Sequence, residues 1–257
     1  MSSKTVSSYN VNGIRAAARK GLSEWIETTS PDFICFQEMR ANEADIASAL
    51  ASMDYHAYHE IADKKGYSGV SILSKEPALK VQRGLGVDWI DAEGRVILAE
   101  YEHFNLVSAY FPSGTTGDIR QDMKMEFLEH FMGYAKELLE QSKPLIICGD
   151  FNICHKEIDI HNPSKQHKTS GFLPEERAWV DSFIATGFND AYRVLYPDTG
   201  DQYSWWSYRA GSKARNKGWR IDYHMISADL VSTVEGAKME KQWDMSDHVP
   251  VTVTYSI

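Results

Sequence analysis

The chain alternates short apolar, β-rich runs with stretches of helical period. Strand-like runs fall at 5–9, 32–36, 70–73, 96–101, 106–110, 144–148, 220–225 and 249–255. The run at 144–148 carries Leu145, Ile146 and Ile147 in succession, so it is apolar on both faces and suits a central strand. Asp118 is placed to cap a helix with Ile119, Met123, Phe127, Phe131 and Leu138 on one stripe. Pro174 opens a second helix that turns Trp179, Val180, Phe183 and Ile184 inward and stops at Gly187. Many strands and about four helices, not in strict alternation, indicate an α+β protein with two sheets packed face to face and helices outside. The pattern leaves the strand order open. With no repeat, low-complexity run or linker-like stretch, residues 1–257 read as a single domain.

Composition narrows the class. A chain of 257 residues buries enough surface to fold without a staple. The cysteines Cys35, Cys148 and Cys154 are odd in number and irregularly spaced, and two lie in apolar runs. They read as buried reduced thiols in an intracellular, cytoplasmic protein rather than a disulfide framework. The first residues hold no apolar signal region, and no run reaches the ~18 residues needed to span a bilayer. The formal net charge of −9 counts against a nucleic-acid partner. That objection weakens because a metal site gathers carboxylates, and net charge does not report a local basic face.

Polar residues cluster where the apolar runs end. Asn10 and Asn12 follow the first, Gln37 and Glu38 the second, and Tyr110 closes a third. Asp150 and Asn152 follow the central run, Asp222 lies in another, and Asp247 and His248 precede the last. Each has a plain reading as a turn or strand-entry residue. Together they have the composition of a site floor. The types suit phosphodiester hydrolysis. Glu38 and Asp247 are hard oxygen ligands for Mg²⁺, with Mn²⁺ as a substitute, and Asn10, Asn12, Asp150, Asn152 and His248 complete the metal-facing set. Asp150 is suited to take a proton from water. His248 paired with Asp222, and Tyr110, are suited to donate to a charged phosphate oxygen.

Five segments occur in one order: Tyr9-Asn10-Val11-Asn12-Gly13-Ile14-Arg15, Gln37-Glu38, Gly149-Asp150-Phe151-Asn152, Gly218-Trp219-Arg220-Ile221-Asp222-Tyr223 and Ser246-Asp247-His248-Val249-Pro250. With Glu93-Gly94-Arg95-Val96 and the stretch from Asn162-Pro163 to Arg177, the chain resembles the exonuclease III family of abasic-site endonucleases nearly end to end. The resemblance implies a four-layered α/β-sandwich with one site at the top of two mixed sheets. It implies Glu38 as principal metal ligand with Asn10, Asn12 and Asp247 near it. Asp150 and Asn152 then align the water, and Tyr110, Asp222 and His248 surround the phosphate. Some relatives carry Asp where Asn12 stands, which leaves open whether Asn12 meets metal directly.

Residues 209–221 contain Arg209, Lys213, Arg215, Lys217 and Arg220 and no acid, beside Trp205, Trp206, Tyr208 and Trp219. Alone this reads more readily as a solvated charged loop with its aromatics turned into the core. The resemblance makes it a backbone grip, with Trp205, Trp219 and Ile221 lining a pocket for a flipped-out abasic sugar and small Gly171 leaving room beside it. Asn162, Gln166 and Thr169 form a second phosphate-contacting loop, and Arg15, Arg19, Lys20, Lys64 and Lys65 add backbone contacts. His155, His161 and His167 lack a zinc-site pattern and read as part of a polar loop. The expected partner is duplex DNA with abasic sites or damaged 3′ ends, met by a monomer. Three alternatives stand beside this. One is a 3′-end exonuclease without abasic incision. Another is a phosphodiesterase of the same fold acting on non-DNA substrates such as sphingomyelin or inositol phosphates. The third is an inactive DNA-binding module.

Overall fold

The computed structural model describes residues 3–257. In chain order the strands are β1 (Ser3–Asn10), β2 (Phe33–Gln37), β3 (His56–Glu60), β4 (Val70–Ser74), β5 (Lys80–Arg83), β6 (Val96–Glu100), β7 (Asn105–Tyr110), β8 (Leu145–Asp150), β9 (Phe188–Asp190), β10 (Asp222–Ser227), β11 (Val234–Met239) and β12 (Val251–Ser256). The α-helices are α1 (Ile14–Arg19), α2 (Leu22–Thr29), α3 (Glu43–Leu50), α4 (Asp88–Ala92), α5 (Asp118–Glu140), α6 (Pro174–Ala185) and α7 (Ala191–Leu195).

The strands form two mixed six-stranded sheets, ordered β11-β12-β1-β2-β4-β3 and β5-β6-β7-β8-β10-β9. The period-2 alternation of each strand explains the layering. In β2, Phe33 and Cys35 join the core between the sheets, whereas Ile34 and Phe36 pack outward with Leu22, Trp25, Ile26 and Ile46 of α2 and α3. In β8, Ile146 and Cys148 face the other sheet, whereas Leu145 and Ile147 meet Phe127, Phe131 and Phe183 of α5 and α6. The result is the expected four-layered sandwich: helices, sheet, sheet, helices. Gly149 is required by close approach, since a Cβ there would fall 2.0 Å from the carbonyl oxygen of Ala109 on β7.

Two expectations for α5 are corrected. Asp118 does not cap it. Gly117 holds the cap position with φ +116°, and Asp118 lies in the first turn, where its charge complements the helix dipole. Ile119 is 78% exposed. The buried face runs instead through Lys124, Phe127, Leu128, Phe131, Tyr134, Ala135 and Leu138. Helix α6 begins at Pro174 and buries Val180 and Phe183 as expected, with Trp179 and Ile184 half-buried on the same core.

Topology brings the functional strand ends together. Parallel β1 and β2 pair Asn10 with Gln37, and parallel β7 and β8 pair Tyr110 with Asp150. The antiparallel neighbours then start where these end: β10 pairs Asp222 with Asp150, and β12 pairs Val251 with Ser8. All six strand ends therefore lie along one rim. Just beyond it, Phe111 and Phe151 stack at 4.1 Å and pack edge-on with aromatic residues of α5 and α6. Burying a phenylalanine stabilises by roughly 2–3 kcal/mol, so this cluster anchors the rim from below.

Candidate active site

Asp150 sits at the centre of the rim, 1% exposed. The Asn10 side-chain amide donates to its Oδ2 at 2.9 Å, and the Asn152 backbone N–H donates to its Oδ1 at 2.8 Å. Asn152 is fixed in turn by a 2.9 Å bond from its amide to the Phe111 carbonyl. Burial pushes the Asp150 carboxyl up to about 7, against the lowering influence of His248. His248 Nδ1 lies 2.9 Å from Asp222 Oδ2, and its Nε2 lies 3.8 Å from Asp150 Oδ2. Burial works against charge on this imidazole, but Asp222, seconded by Asp150 and Asp247, outweighs it and raises His248 to about 10. These carboxylates therefore favour the protonated ring. Ser204 steadies Asp222 from behind, its hydroxyl accepting from the backbone N–H groups of Ile221 and Asp222.

Asn12 donates through its side-chain amide to Asp247 Oδ1 at 2.8 Å, and the Trp205 indole N–H donates to Oδ2 at 3.0 Å. Burial disfavours charge on Asp247, yet His248 and these two donors hold its carboxyl below the ordinary value. Glu38 is 8% exposed and pairs with Arg40. Its backbone lies in the left-handed region at φ +57°, an uncommon conformation for a glutamate, and two asparagines of the site, Asn12 and Asn152, share it. Tyr110 lies beside both. Burial, then the charge of Glu38, raises its phenol well above the ordinary range, so it remains a hydrogen-bond donor.

A cavity of about 450 Å³ opens over these groups. Glu38, Tyr110, Asp150, Asp247 and His248 form its polar side and Trp205, Trp219 and Ile221 its apolar side. The two indoles meet edge-on at 5.8 Å, and Ile221 packs behind them with Cys154, Ile160 and Phe172. Gly171 does not line the cavity. It is buried at φ +95° behind Trp219, and a Cβ there would come within 2.8 Å of that ring.

The donor set fits a divalent cation. Four carboxylates (Glu38, Asp150, Asp222 and Asp247) share one small region with two asparagine amides, all hard oxygen donors. Asp222 Oδ1 is buried and accepts no hydrogen bond, which leaves a lone pair to satisfy. Ligand atoms of Asp150, Asp222 and His248 lie within 4.8 Å of one another. An imidazolium has no lone pair to give, however, so this cluster as protonated is better suited to meet an anion.

The expected DNA-contacting residues divide by position. Arg209, Arg215 and Lys217 are exposed on the loop that joins Trp205 to Trp219, so the cavity walls anchor that loop at both ends. Lys213 is half-buried, paired with Asp244 at 2.6 Å and lying over the Trp206 ring. Arg220 is corrected: it is fully buried, bonded to Asp159 at 2.7 Å, and serves the core rather than the surface. Thr169 lines the cavity and donates to Gln166, while Asn162 stands exposed one turn away. Arg15 pairs with Asp45 at 3.3 Å and lines a separate groove with exposed Lys65. Sequence reasoning missed Arg40, Ser113, Thr115 and Ser170, which also line the cavity. Arg40 had a signal, since it follows Glu38 by two residues in one loop. It also missed an adjoining cavity of about 650 Å³, where Arg95 and Arg120 both donate to the Tyr67 hydroxyl.

Comparison with known proteins agrees with this geometry. A model of the Endonuclease/Exonuclease/phosphatase family matches residues 7–248. An exodeoxyribonuclease of Bacillus subtilis is 41% identical over 251 residues, covering 97% of this chain and 98% of that protein. The DNA repair nuclease APEX1 of Danio rerio is 37% identical over 255 residues, covering 98% and 82%. Among solved structures, an AP endonuclease from Archaeoglobus fulgidus superposes with a TM-score of 0.91 at 24% identity, covering 99% of this chain and all of that one, a likeness of fold. The chain belongs to the endonuclease/exonuclease/phosphatase family and is a nuclease of its exodeoxyribonuclease and AP-endonuclease kind.

Proposed function

We propose that this nuclease repairs DNA by cutting duplex backbones 5′ to abasic sites and by clearing blocked 3′ ends, with Mg²⁺ or Mn²⁺ held by Glu38, Asp247 and the amides of Asn10 and Asn12. The observation that carries this reading is the junction of the Asp150–His248–Asp222 array with an apolar cavity walled by Trp205, Trp219 and Ile221. A cavity with such walls cannot satisfy the polar edge of a base, and so favours a sugar that has lost one.

In its carboxylate form Asp150, oriented by Asn10 and Asn152, accepts a proton from the attacking water. The water oxygen bonds to phosphorus as the P–O3′ bond breaks, and the departing O3′ takes a proton from solvent, leaving a 3′-hydroxyl and a 5′-phosphate. His248 as imidazolium and Tyr110 as phenol donate to the non-bridging oxygens, where negative charge gathers. A bound cation would supply Lewis acidity to the phosphate and to the departing oxygen. Arg209, Lys213, Arg215 and Lys217 hold the phosphates on one side of the cavity, with Asn162, Gln166 and Thr169 on another and Arg15 and Lys65 farther along the strand. Three unpaired buried cysteines support an intracellular setting, and among the described residues no helix is long and apolar enough to cross a membrane.

The test is nicking of a labelled duplex carrying one tetrahydrofuran abasic analogue, with Mg²⁺ and with EDTA, beside Glu38→Ala. The expected result is metal-dependent cleavage just 5′ to the analogue, lost in the variant. An intact duplex alongside processing of a 3′-phosphate would make the protein a 3′-end nuclease and overturn the pocket assignment.

A further inference from the structure

Trp205 does more at this site than supply an apolar wall. Its indole N–H points at a carboxylate of the active site, donating to Asp247 Oδ2 at 3.0 Å. The opposite oxygen accepts from the Asn12 amide at 2.8 Å and from the Ser246 hydroxyl at 3.2 Å. Asp247 is therefore gripped at both ends by neutral donors, and Trp205 is the donor to Oδ2. The backbone reinforces the link. Trp205 bridges Trp219 on one side and His248 on the other. The Trp206 N–H donates to the Asp247 carbonyl at 3.0 Å, and the Val249 N–H to the Ser204 carbonyl at 2.8 Å. Residues 204–206 are thus a rung between the segment that carries the cavity wall and the segment that carries Asp247 and His248.

A phenylalanine would supply the same wall without the N–H. An aromatic body in the cavity with its polar handle on a charged acceptor joins two tasks in one side chain. A carboxylate offers about four lone-pair directions. Those left open for a cation at Asp247 depend on where Trp205 and Asn12 bind.

We propose that Trp205 is a positioning residue that couples occupancy of the cavity to the orientation of Asp247. The ring meets the sugar of the bound nucleotide, and the indole N–H sets the carboxylate for the chemical step. This rests on the function proposed above. It predicts an effect that a wall alone does not produce: loss of the N–H slows the reaction even on a substrate with no abasic sugar to fit.

Trp205→Phe keeps the aromatic wall and deletes the donor, and Trp205→Ala deletes both. Both are compared with the unaltered protein on two substrates, a duplex with one tetrahydrofuran residue and a nicked duplex ending in 3′-phosphate. Mn²⁺ binding to the DNA-free protein is measured by calorimetry, and thermal melting checks the fold. A hydrogen bond to a charged group predicts that Trp205→Phe lowers kcat about tenfold on both substrates, leaves KM within about twofold, and weakens Mn²⁺ binding several-fold. Trp205→Ala adds a rise in KM on the abasic duplex alone. Unchanged kcat on both substrates, a loss confined to the abasic duplex, or unaltered Mn²⁺ binding would each overturn the proposal. If the unaltered protein cuts only the 3′-phosphate substrate, the abasic reading fails, and kcat on that substrate still decides the role of Trp205. If it cuts neither, the functional reading fails and the calorimetry alone decides.

Discussion

His248 lies between two buried carboxylates, with Nδ1 2.9 Å from Asp222 Oδ2 and Nε2 3.8 Å from Asp150 Oδ2. The short contact fixes which nitrogen faces the cavity and supplies the charge that keeps the ring protonated. Asp222→Asn preserves the shape and removes that charge. It is expected to lower kcat roughly a hundredfold with little change in KM, as for loss of one preorganised donor to a transition-state oxyanion. Steady-state kinetics on the abasic duplex check this. A kcat within about threefold of the unaltered protein would remove the imidazolium from the mechanism.

Lys124 and Glu176 form an ion pair at 2.6 Å with both side chains fully buried. Lys124 also donates to the Asn152 carbonyl at 2.8 Å, and Glu176 accepts from the backbone N–H groups of Gly171 and Leu173. The pair ties α5 to both loops that flank the cavity. Lys124→Met leaves a buried carboxylate without its cation and is expected to cost about 3–5 kcal/mol. Urea unfolding measures it. A cost below about 1 kcal/mol would mean that the remaining donors, the backbone N–H groups of Gly171 and Leu173 with the Gln121 amide, satisfy Glu176 without the lysine.

Much of this site was legible because the residues lie at the ends of apolar strands, where a break in pattern is visible. The strands missed from the sequence are β3, β5, β9 and β11, and these are the four edges of the two sheets. An edge strand needs little apolar surface: β3 reads His-Ala-Tyr-His-Glu and is nowhere fully buried. Arg220 was misread because its composition suggested a basic loop, whereas period-2 alternation governs it. Trp219 and Ile221 face the cavity, so Arg220 between them faces inward to Asp159. Lys124 was hidden by its type, since a lysine on a helix reads as solvent-facing until its partner on another helix is known. That partner is 52 residues away.

Asp159 gives the fold a dependence on acid. Burial opposes its charge, but Arg220 and then Arg193 outweigh burial and hold the carboxyl at about 2, below its ordinary 3.8. A depressed carboxyl stabilises the fold above its unfolded value and loses that contribution as pH falls through its folded value. The window is therefore from about pH 4 down to about pH 2, and the contribution is on the order of 2 kcal/mol. Urea midpoints across that range should fall more steeply for the unaltered protein than for Asp159→Asn, which starts less stable. Equal slopes would place the acid sensitivity elsewhere.

The loop between Trp206 and Trp219 should act through charge alone. Replacing exposed Arg209 and Arg215 together with alanine is expected to raise KM for duplex DNA and leave kcat unchanged. Each DNA phosphate that the variant no longer neutralises should lower the slope of log affinity against log salt by about 0.9. The slope is measured between about 50 and 200 mM KCl. A change in kcat with an unchanged slope would assign the loop to the chemistry instead of to the grip.

Gly171 separates the two activities proposed for the site. Its φ of +95° disfavours any side chain, and a Cβ there meets Trp219 at 2.8 Å and the Asn152 carbonyl at 3.0 Å. Gly171→Trp must therefore drive the Trp219 ring toward the cavity. Since strain of this kind also costs about 1–3 kcal/mol of stability, the informative quantity is the ratio of two rates in one preparation, from which the folded fraction cancels. Abasic incision needs space beside Trp219 for the sugar, whereas removal of a 3′-phosphate does not. Incision should fall at least about tenfold further than phosphate removal, the scale of an impaired apolar fit in a pocket. Equal losses would mean that Trp219 does not bound the sugar, and the pocket would have to be sought on the side of Arg95 and Tyr67.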